Sequence, residues 1–171
     1  MKKLVGVARD IPWLPKPGEA RLYLTDEMPP PETWGTAFGF AFDGDRILLT
    51  QLSKRGWDIP GGHLSPGETP QAGAVREVWE ETCVRVEVAE LIAVQELELF
   101  AGAEAHGWSR PLSTQIYFLC RAVEVAPFVA TPEALARGFF PPEEARLMPT
   151  IEYHAPIYEE ALRRVRAAMH L

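Results

Sequence analysis

Three glutamates, Glu77, Glu80 and Glu81, are separated by spacings of three and four residues along the chain. At these spacings, the side chains of an α-helix project next to one another from one face. Carboxylates this close repel one another unless a cation neutralises them, and Mg²⁺ takes oxygen ligands and commonly binds substrate phosphates as well. The pattern therefore predicts a metal site for phosphoryl chemistry on a helix. The alternative is a charged helix face that meets only solvent.

The segment before the glutamates has the signals of a loop that leads into a helix. Three glycines between positions 61 and 67 let the backbone of the loop approach a metal or a phosphate closely. Thr69 is a typical N-cap, and Pro70 suits the first position of a helix. The sequence therefore predicts a helix over residues 70–82, which carries the three acids.

The loop and the helix together form a longer pattern of fixed positions, Gly62-x5-Glu68-x7-Arg76-Glu77-Val78-x-Glu80-Glu81. This pattern resembles the box of the Nudix hydrolase (MutT-like) family, and the preceding run GWDIPGGH is similar to the usual approach to that box. The resemblance implies an α/β (α+β) fold, with a mixed β-sheet sandwiched between helices. It also implies a hydrolase that cleaves a nucleoside diphosphate linked to another moiety.

The resemblance implies a role for each matched residue. It implies that the acids bind Mg²⁺ or Mn²⁺, and such ions screen phosphate charge and activate water for hydrolysis of a pyrophosphate. Glu68 and Arg76 correspond to positions that support the loop and orient the acids. The implied metal ligands are Glu77, Glu80 and Glu81 through their carboxylates and Gly61 through its carbonyl.

The resemblance leaves the general base open, because members of the family use either a box glutamate or one in a later loop. Our hypothesis is that Glu81 or Glu77 activates the water, with Glu133 assisting. The alternative for Glu133 is a surface residue that opens a helical turn. The candidate catalytic residues are therefore Arg76, Glu77, Glu80, Glu81 and Glu133.

Candidate substrate contacts surround the box. Lys54 and Arg55 are candidate phosphate ligands, with exposed loop cations as the alternative. Aromatic side chains are candidate stacking surfaces for a base, although core packing is the commoner role of a single aromatic residue; these are Trp57, Trp108, Tyr117 and Phe140. The candidate contacts for substrate binding are Lys54, Arg55, Trp57, Gly62, His63, Glu68 and Phe140.

One position departs from the family pattern, because Cys83 stands where the box has a glycine. Glycine suits the left-handed backbone conformation at a helix C-terminus, in which a cysteine costs about 1 kcal/mol. The position carries no metal ligand. We therefore expect altered geometry at the helix end rather than lost chemistry.

Alternating and β-rich segments predict the strands that position the helix. Asp-Gly at 43–44, between apolar runs at 36–42 and 46–50, predicts a hairpin. Strands around a central helix, with a second helix at the end, fit an α+β or three-layer α/β/α domain. The further expected elements are strands over 84–88, 91–100 and 114–125, a short strand at 139–140 that leads into a helix, and an amphipathic helix over 156–169.

Residues 1–33 contain six prolines, which exclude a long helix. We predict short extended pieces and turns here, with an edge strand over 21–25. We expect residues 1–33 to form a proline-rich arm packed on a single Nudix hydrolase domain of residues 34–171. The arm is a candidate homodimer interface or a cover for the substrate cleft.

The chain has 171 residues, a length that is typical of one soluble core. Its net charge of −7 argues against nucleic-acid partners, including capped or triphosphorylated RNA. Two cysteines give no disulfide framework, and the apolar stretch at 4–8 is too short for a signal peptide or a membrane span. We therefore expect a cytoplasmic enzyme and a small nucleotide substrate, such as a nucleoside triphosphate or a nucleotide sugar. The alternative is a catalytically weak nucleotide-binding or regulatory module.

Overall fold

A mixed β-sheet forms the middle layer of the fold. The computed structural model describes residues 1–102, 104–107 and 111–169. The strands of this described part are β1 (Lys3–Arg9), β2 (Gly18–Leu24), β3 (Trp34–Asp43), β4 (Arg46–Leu52), β5 (Gly56–Asp58), β6 (Gly61–His63), β7 (Val84–Leu99), β8 (Leu112–Val125) and β9 (Ala134–Phe140). Its α-helices are α1 (Pro70–Thr82), α2 (Pro142–Ala145), α3 (Pro149–Tyr153) and α4 (Ala155–Met169).

The strand order is β1-β2-β7-β8-β3-β4-β5, with β6 paired to β3 and β9 paired to β4. The pair β3–β8 is parallel and the other pairs are antiparallel. The predicted hairpin is confirmed, with Gly44 in its turn at a φ of 60°. Beyond Phe42–Ile47 the two strands separate, and β6 then pairs with β3 while β5 and β9 pair with β4. This separation brings the glycine loop into the centre of the sheet.

Helices cover both faces of the sheet, which confirms the predicted α/β/α arrangement. Ala74 and Val78 of α1 are buried against one face, in a cluster that includes Leu48. Ile157 and Leu162 of α4 are buried on the opposite face, in a second cluster. The apolar stripes of these helices therefore hold the sheet between them, as expected for amphipathic helices on a sheet. None of the helices in the described ranges is long and apolar enough to cross a membrane.

The box helix begins and ends where the sequence predicts. Thr69 is the N-cap, with its hydroxyl accepting a hydrogen bond from the Ala72 N–H at 3.3 Å, and Pro70 is the first helical residue. These contacts satisfy backbone donors that the helix itself leaves free at its first turn. The predicted helix over 70–82 is confirmed as α1.

The prediction of an altered helix end at Cys83 is wrong. Cys83 has a φ of 54° and a ψ of 32°, the left-handed conformation that a glycine would take, and its N–H donates to the Trp79 carbonyl at 2.8 Å. The Arg137 guanidinium donates to the Thr82 and Cys83 carbonyls at 2.6 and 3.2 Å. These contacts hold the cysteine in a backbone conformation that its Cβ disfavours.

Replacement of Cys83 by glycine is therefore expected to raise the free energy of unfolding by about 1 kcal/mol, because it relieves the left-handed strain. Urea unfolding followed by circular dichroism measures this change. Cys83→Ala is the matched control, since alanine keeps the Cβ and is expected to bring no such gain. Equal unfolding midpoints for the glycine and alanine variants would contradict a strained Cys83.

The segments outside the box follow the sequence predictions with two differences. The predicted strands over 84–88 and 91–100 form one strand, β7, because irregularities in its pairing with β8 let it bend without breaking. The segment at 21–25 was predicted as an edge strand, but β2 lies between β1 and β7, so β1 is the edge strand. The predicted strand at 114–125, the strand leading into a helix near 140 and the C-terminal helix are confirmed.

The proline-rich segment between β1 and β2 is anchored by a small apolar cluster. Leu14 is buried with Ala20, Leu97 and Leu99, and Ile11 packs against this cluster. Residues 1–33 therefore contribute two strands to the main sheet and a loop that is fixed to it.

Candidate active site

The three glutamates of α1 differ in their exposure. The Glu81 side chain lies at the sheet and the residue is 8% exposed, whereas 55% of the Glu80 side chain is exposed. Glu77 lies between these extremes. The helix therefore presents a series of carboxylates that runs from solvent into the protein, rather than a uniformly solvated face.

Glu81 is in an environment that disfavours a carboxylate without a cation. Its Oε2 atom is buried and receives no hydrogen bond from any residue that the structure describes. Burial, followed by the charge of Glu77, raises the pKa of Glu81 to about 8, with a smaller contribution from Glu133. A buried carboxylate oxygen without a partner is costly, and a divalent cation is the kind of group that offsets this cost.

Arg76 connects the glutamates to the glycine loop. Its guanidinium donates to both carboxylate oxygens of Glu68 at 2.8 and 2.9 Å, and to Glu77 and Glu80 at 2.8 and 3.1 Å. It also donates to the backbone carbonyl of His63 at 3.1 Å. One arginine therefore ties the loop to the helix, as the sequence analysis expected of Arg76.

The Glu68 carboxylate is held by hydrogen bonds from Arg76 and from the loop backbone. The hydrogen bonds from Arg76, followed by the one from the Ser65 N–H at 2.9 Å, lower the pKa of Glu68 to about 2. Both of its oxygens accept hydrogen bonds from protein groups. This geometry suits support of the loop, while a contact between Glu68 and substrate stays a prediction.

The loop glycines Gly61 and Gly62 lie where there is no room for a side chain. A Cβ on Gly62 would stand 2.8 Å from the Glu77 carboxylate, and a Cβ on Gly61 would stand 2.5 Å from the Ala37 carbonyl oxygen. The backbone of β6 therefore runs directly beside the helix at Gly62 and directly beside β3 at Gly61. The Gly61 backbone also lies close enough to Glu81 to lower the pKa of that carboxyl, which opposes part of the effect of burial.

Across the described ranges, no group of three or more His, Cys, Asp or Glu side chains is arranged closely enough to hold an ion as it stands. Arg76 draws the Glu77 and Glu80 carboxylates towards itself. The chemistry of the donor set and the unpartnered Glu81 oxygen nevertheless fit a hard divalent ion. An ion bound by these glutamates would therefore require Glu77 and Glu80 to turn away from the arginine.

The structure brings Glu133 to the box glutamates, although it lies far from them in sequence. Glu77, Glu80, Glu81 and Glu133 line one cavity of about 400 Å³. The Glu133 carbonyl accepts a hydrogen bond from the Ser53 N–H at 2.8 Å, which joins its loop to the end of β4. This placement suits the assisting role that the sequence analysis assigned to Glu133.

Lys54 and Arg55 lie beside the acids. They line a cavity of about 460 Å³ together with Glu133, and the charge of Arg55 is close enough to lower the pKa of Glu81 slightly. Both side chains are exposed. A phosphate chain that reaches from this loop to the box glutamates would therefore meet cations at one end and carboxylates at the other.

A larger cavity of about 660 Å³ opens on the other side of Arg55, and aromatic side chains form much of its wall. The predicted candidates Trp57 and Tyr117 line it. Phe140 instead packs edge-on behind Trp57, with ring centroids 4.9 Å apart. His63 is exposed, and Trp108 lies outside the described residues.

Several cavity residues were missed by the sequence analysis; they are Trp13, Asp58, Gln115, Thr150, Tyr153 and His154. They come from the β1–β2 loop, from β5, from β8 and from the segment around α3. Two of them had weak signals in the sequence: Trp13 is a tryptophan in a proline-rich segment, and Asp58 is an acid in the approach to the box. The others have no signal in a single sequence, because only the tertiary fold brings them together.

The raised pKa of Glu81 predicts an unusual pH dependence of stability in the metal-free protein. Between about pH 4.5 and about pH 8, the unfolded chain releases the Glu81 proton while the folded chain keeps it, so folding weakens as pH rises. We expect this carboxyl to lower the free energy of unfolding by about 1 kcal/mol per pH unit in that window. Urea unfolding in EDTA across the window measures the slope.

Glu81→Gln is expected to remove this contribution, because glutamine does not titrate. Glu80→Gln, which makes the same chemical change at an exposed side chain, is the matched control and is expected to keep the slope. Identical pH slopes for the wild type and Glu81→Gln would contradict the raised pKa.

The family comparison matches most of the chain. The model of the NUDIX domain matches residues 33–164. A MutT-like protein from Streptomyces ambofaciens is 48% identical over 52 residues, which are 30% of this chain and 34% of that protein. An RNA pyrophosphohydrolase from Roseobacter denitrificans is 50% identical over 40 residues, which are 23% of this chain and 25% of that protein. The chain thus spans about a third or less of the length of these curated relatives.

Solved structures share the fold over a longer stretch. The Bacillus subtilis pyrophosphohydrolase BsRppH superimposes with a TM-score of 0.69 at 18% identity, over 94% of this chain and 97% of that chain. An ADP-ribose pyrophosphatase from Streptococcus suis superimposes with a TM-score of 0.57 at 24% identity, over 77% of this chain and 90% of that chain. At these identities the likeness shows the fold alone.

Proposed function

The chain belongs to the NUDIX family, and we propose that it is a metal-dependent hydrolase that cleaves a pyrophosphate bond in a nucleoside diphosphate linked to another moiety. The observation that carries this proposal is the buried Oε2 of Glu81, which has no hydrogen-bond partner among the described residues and belongs to the cavity that Glu77, Glu80 and Glu133 also line. A buried carboxylate oxygen without a partner destabilises the fold, whereas in a metal site the same oxygen can bind the ion.

The acids of α1 are the proposed holders of Mg²⁺, with Mn²⁺ as an alternative ion. Glu77, Glu80 and Glu81 would bind through their carboxylates and Gly61 through its carbonyl. When bound, the ion would screen the phosphate charge and make water more acidic. Arg76, which now pairs with Glu77 and Glu80, would keep its hydrogen bonds to Glu68 and so continue to fix the loop.

The chain's own groups have separate tasks in the proposed reaction. Lys54 and Arg55 bind the phosphates, because their exposed cations flank the acid cavity. Glu81 or Glu77 accepts a proton from the attacking water, and Glu133 assists from the facing loop. The oxygen of the water bonds to phosphorus, and the bond from that phosphorus to the bridging oxygen breaks. The bridging oxygen leaves with the second phosphate.

We propose small nucleotides as the substrates, for example nucleoside triphosphates or nucleotide sugars. A cavity of about 660 Å³ beside Arg55 has the size and the apolar wall that are usual for small-molecule sites. The net charge of −7 disfavours a long polyanion. The names of the relatives include RNA pyrophosphohydrolases, so a triphosphorylated RNA belongs in the test beside the small nucleotides.

We also propose that residues 34–171 form the hydrolase domain and that residues 1–33 form an arm on it. The arm's β2 covers the edge of β7, and its loop brings Trp13 to the large cavity. Its proposed role is therefore to complete the substrate cleft.

A substrate panel with Mg²⁺ tests the proposed activity. The panel contains nucleoside triphosphates, nucleotide sugars, ADP-ribose, dinucleoside polyphosphates and a triphosphorylated RNA, with chromatographic identification of all products, including phosphate and pyrophosphate, as the measurement. We expect turnover of at least one small nucleotide and none in EDTA. Tight binding of nucleotides without any turnover would instead identify a nucleotide-binding or regulatory module.

A further inference from the structure

Asp58 is a charged group in the wall of the large cavity, where the proposed reaction has no use for a carboxylate. It is the last residue of β5, and 19% of its side chain is exposed. Its Oδ1 atom accepts hydrogen bonds from the Ile59 N–H and from the Thr150 hydroxyl, each at 2.8 Å. These two donors come from different elements, and together they fix the orientation of the carboxylate.

The second oxygen of Asp58 is available to a ligand. Within the described ranges, no N–H or O–H donates a hydrogen bond to Oδ2, and the Arg55 guanidinium lies 3.6 Å away. Oδ2 therefore forms an ion pair with Arg55 but accepts no hydrogen bond within the described ranges, and an oriented carboxylate oxygen of this kind can accept strong hydrogen bonds from the N–H groups of a ligand. It also repels phosphate, so the phosphates of a substrate must lie on the side of Lys54, Arg55 and the box.

The other polar groups near Asp58 carry no positive charge into the cavity. The Nδ1 of His154 lies 2.8 Å from the Thr150 carbonyl, so Nδ1 carries the proton and Nε2 is an acceptor. Burial lowers the pKa of His154, which favours the neutral imidazole. The Gln115 carbonyl oxygen accepts from the Tyr117 hydroxyl at 3.1 Å. Since Arg55, the cation in the wall, already forms an ion pair with Asp58, the cavity suits a flat, neutral group that offers N–H donors.

The cavity also has aromatic surfaces for such a group. Trp57 and Trp13 both line it, and Trp13 is about half exposed on a loop that Leu14 anchors. Bases are recognised by stacking on aromatic side chains combined with hydrogen bonds to their Watson–Crick edge. The combination of flat apolar walls and an oriented carboxylate therefore matches a nucleobase better than a sugar phosphate.

We propose that Asp58 selects guanine, so that the substrates of the proposed hydrolase are guanine nucleotides. Guanine presents N1–H and the N2 amino group side by side, and the two lone pairs of the Asp58 Oδ2 atom can accept one hydrogen bond from each. The corresponding edge of adenine has an amino group beside an acceptor nitrogen, and that of uracil has one N–H between two carbonyls. The acceptor of adenine or the carbonyls of uracil would face the Asp58 carboxylate without a donor between them. The proposal rests on the proposed function, because it concerns the nucleoside end of the same substrate.

The test compares kcat/KM for GTP, ITP and ATP with Mg²⁺. We expect GTP to exceed ATP by roughly 10- to 100-fold, as two hydrogen bonds to a carboxylate imply, with ITP in between because inosine lacks the N2 amino group. In Asp58→Asn the preference for GTP over ATP is expected to fall below about threefold, chiefly through KM, since the amide offers one acceptor and one donor. Equal kcat/KM for GTP and ATP in the wild type would overturn the proposal.

Asp45→Asn is the matched control, because it makes the same change at an exposed carboxylate paired with Arg166 at 2.9 Å on another part of the surface. We expect it to leave the preference unchanged. Asparagine at position 58 still has an oxygen to accept from Ile59 and Thr150, and near-UV circular dichroism checks that the variant folds. An unchanged preference in folded Asp58→Asn would also overturn the proposal.

A binding measurement separates this proposal from the proposed function. Calorimetry with non-hydrolysable analogues of GTP and ATP reports base preference without catalysis. Guanine-selective binding with no turnover of GTP would contradict the hydrolase and retain the role of Asp58. Turnover of GTP with equal affinity for both analogues would support the hydrolase and contradict the role of Asp58.

Discussion

Replacement of Glu81 by glutamine is expected to lower kcat by about a thousandfold while the protein stays folded, because the change removes a proposed metal ligand that is also a candidate base. Glutamine has nearly the same shape as glutamate, so the packing between α1 and the sheet is retained. The variant also loses a carboxyl whose burial disfavours its charge. In the absence of metal it is therefore expected to be at least as stable as the wild type at about pH 8.

Steady-state rates and Mg²⁺ affinity by calorimetry test this prediction. Glu133→Gln is the informative comparison, because Glu133 lines the same cavity from the facing loop. An assisting role predicts a loss in kcat of about tenfold, with Mg²⁺ affinity little changed. A kcat for Glu81→Gln within tenfold of the wild type would contradict the account, and near wild-type kcat in Glu133→Gln would remove Glu133 from the reaction.

Replacement of Arg76 by glutamine is expected to reduce both stability and activity. Arg76 pairs with Glu68, Glu77 and Glu80 and also donates to the His63 carbonyl. Its loss leaves the largely buried carboxylates of Glu68 and Glu77 without their cation, at a cost of about 2 kcal/mol in the free energy of unfolding. Displaced ligands and a loosened loop are expected to lower kcat/KM about a hundredfold.

The Arg121→Gln variant is a matched control for this prediction. Arg121 pairs with Glu87 at 2.6 Å, but both side chains are exposed, so the expected change in stability is below about 1 kcal/mol. Urea unfolding and steady-state kinetics on both variants measure the difference. A stability loss at Arg76 no larger than that at Arg121 would contradict the role of Arg76 as the connection between loop and helix.

The box could be predicted from the sequence because its chemistry is local. The N-cap at Thr69, the helix over 70–82 and the acids on it depend on residues less than about four turns apart, so spacing alone predicts their arrangement. The geometry at Cys83 could not be predicted in this way. Its left-handed backbone is held by Arg137, which lies 54 residues away in sequence and is brought there by the pairing of β9 with β4.

The nucleoside end of the site depends on contacts between distant segments. Asp58 and Thr150 are 92 residues apart, yet their hydrogen bond defines the acceptor in the large cavity. Trp13 reaches the same cavity because β2 pairs with β7 and β1 pairs with β2, which places the loop between β1 and β2 at the cavity. A single sequence carries no signal for such pairings. This explains why the reaction could be predicted from the box while the substrate could not.

Hydrolysis, in isotopically labelled water, of a nucleotide that the substrate panel identifies tests the central claim most directly, with phosphorus NMR and mass spectrometry of the products in Mg²⁺ and in EDTA. The account predicts Mg²⁺-dependent cleavage of a pyrophosphate bond and one labelled oxygen on a phosphorus product. It also predicts that Glu81→Gln forms these products about a thousandfold more slowly. Cleavage that persists in EDTA, or products without label on phosphorus, would contradict it.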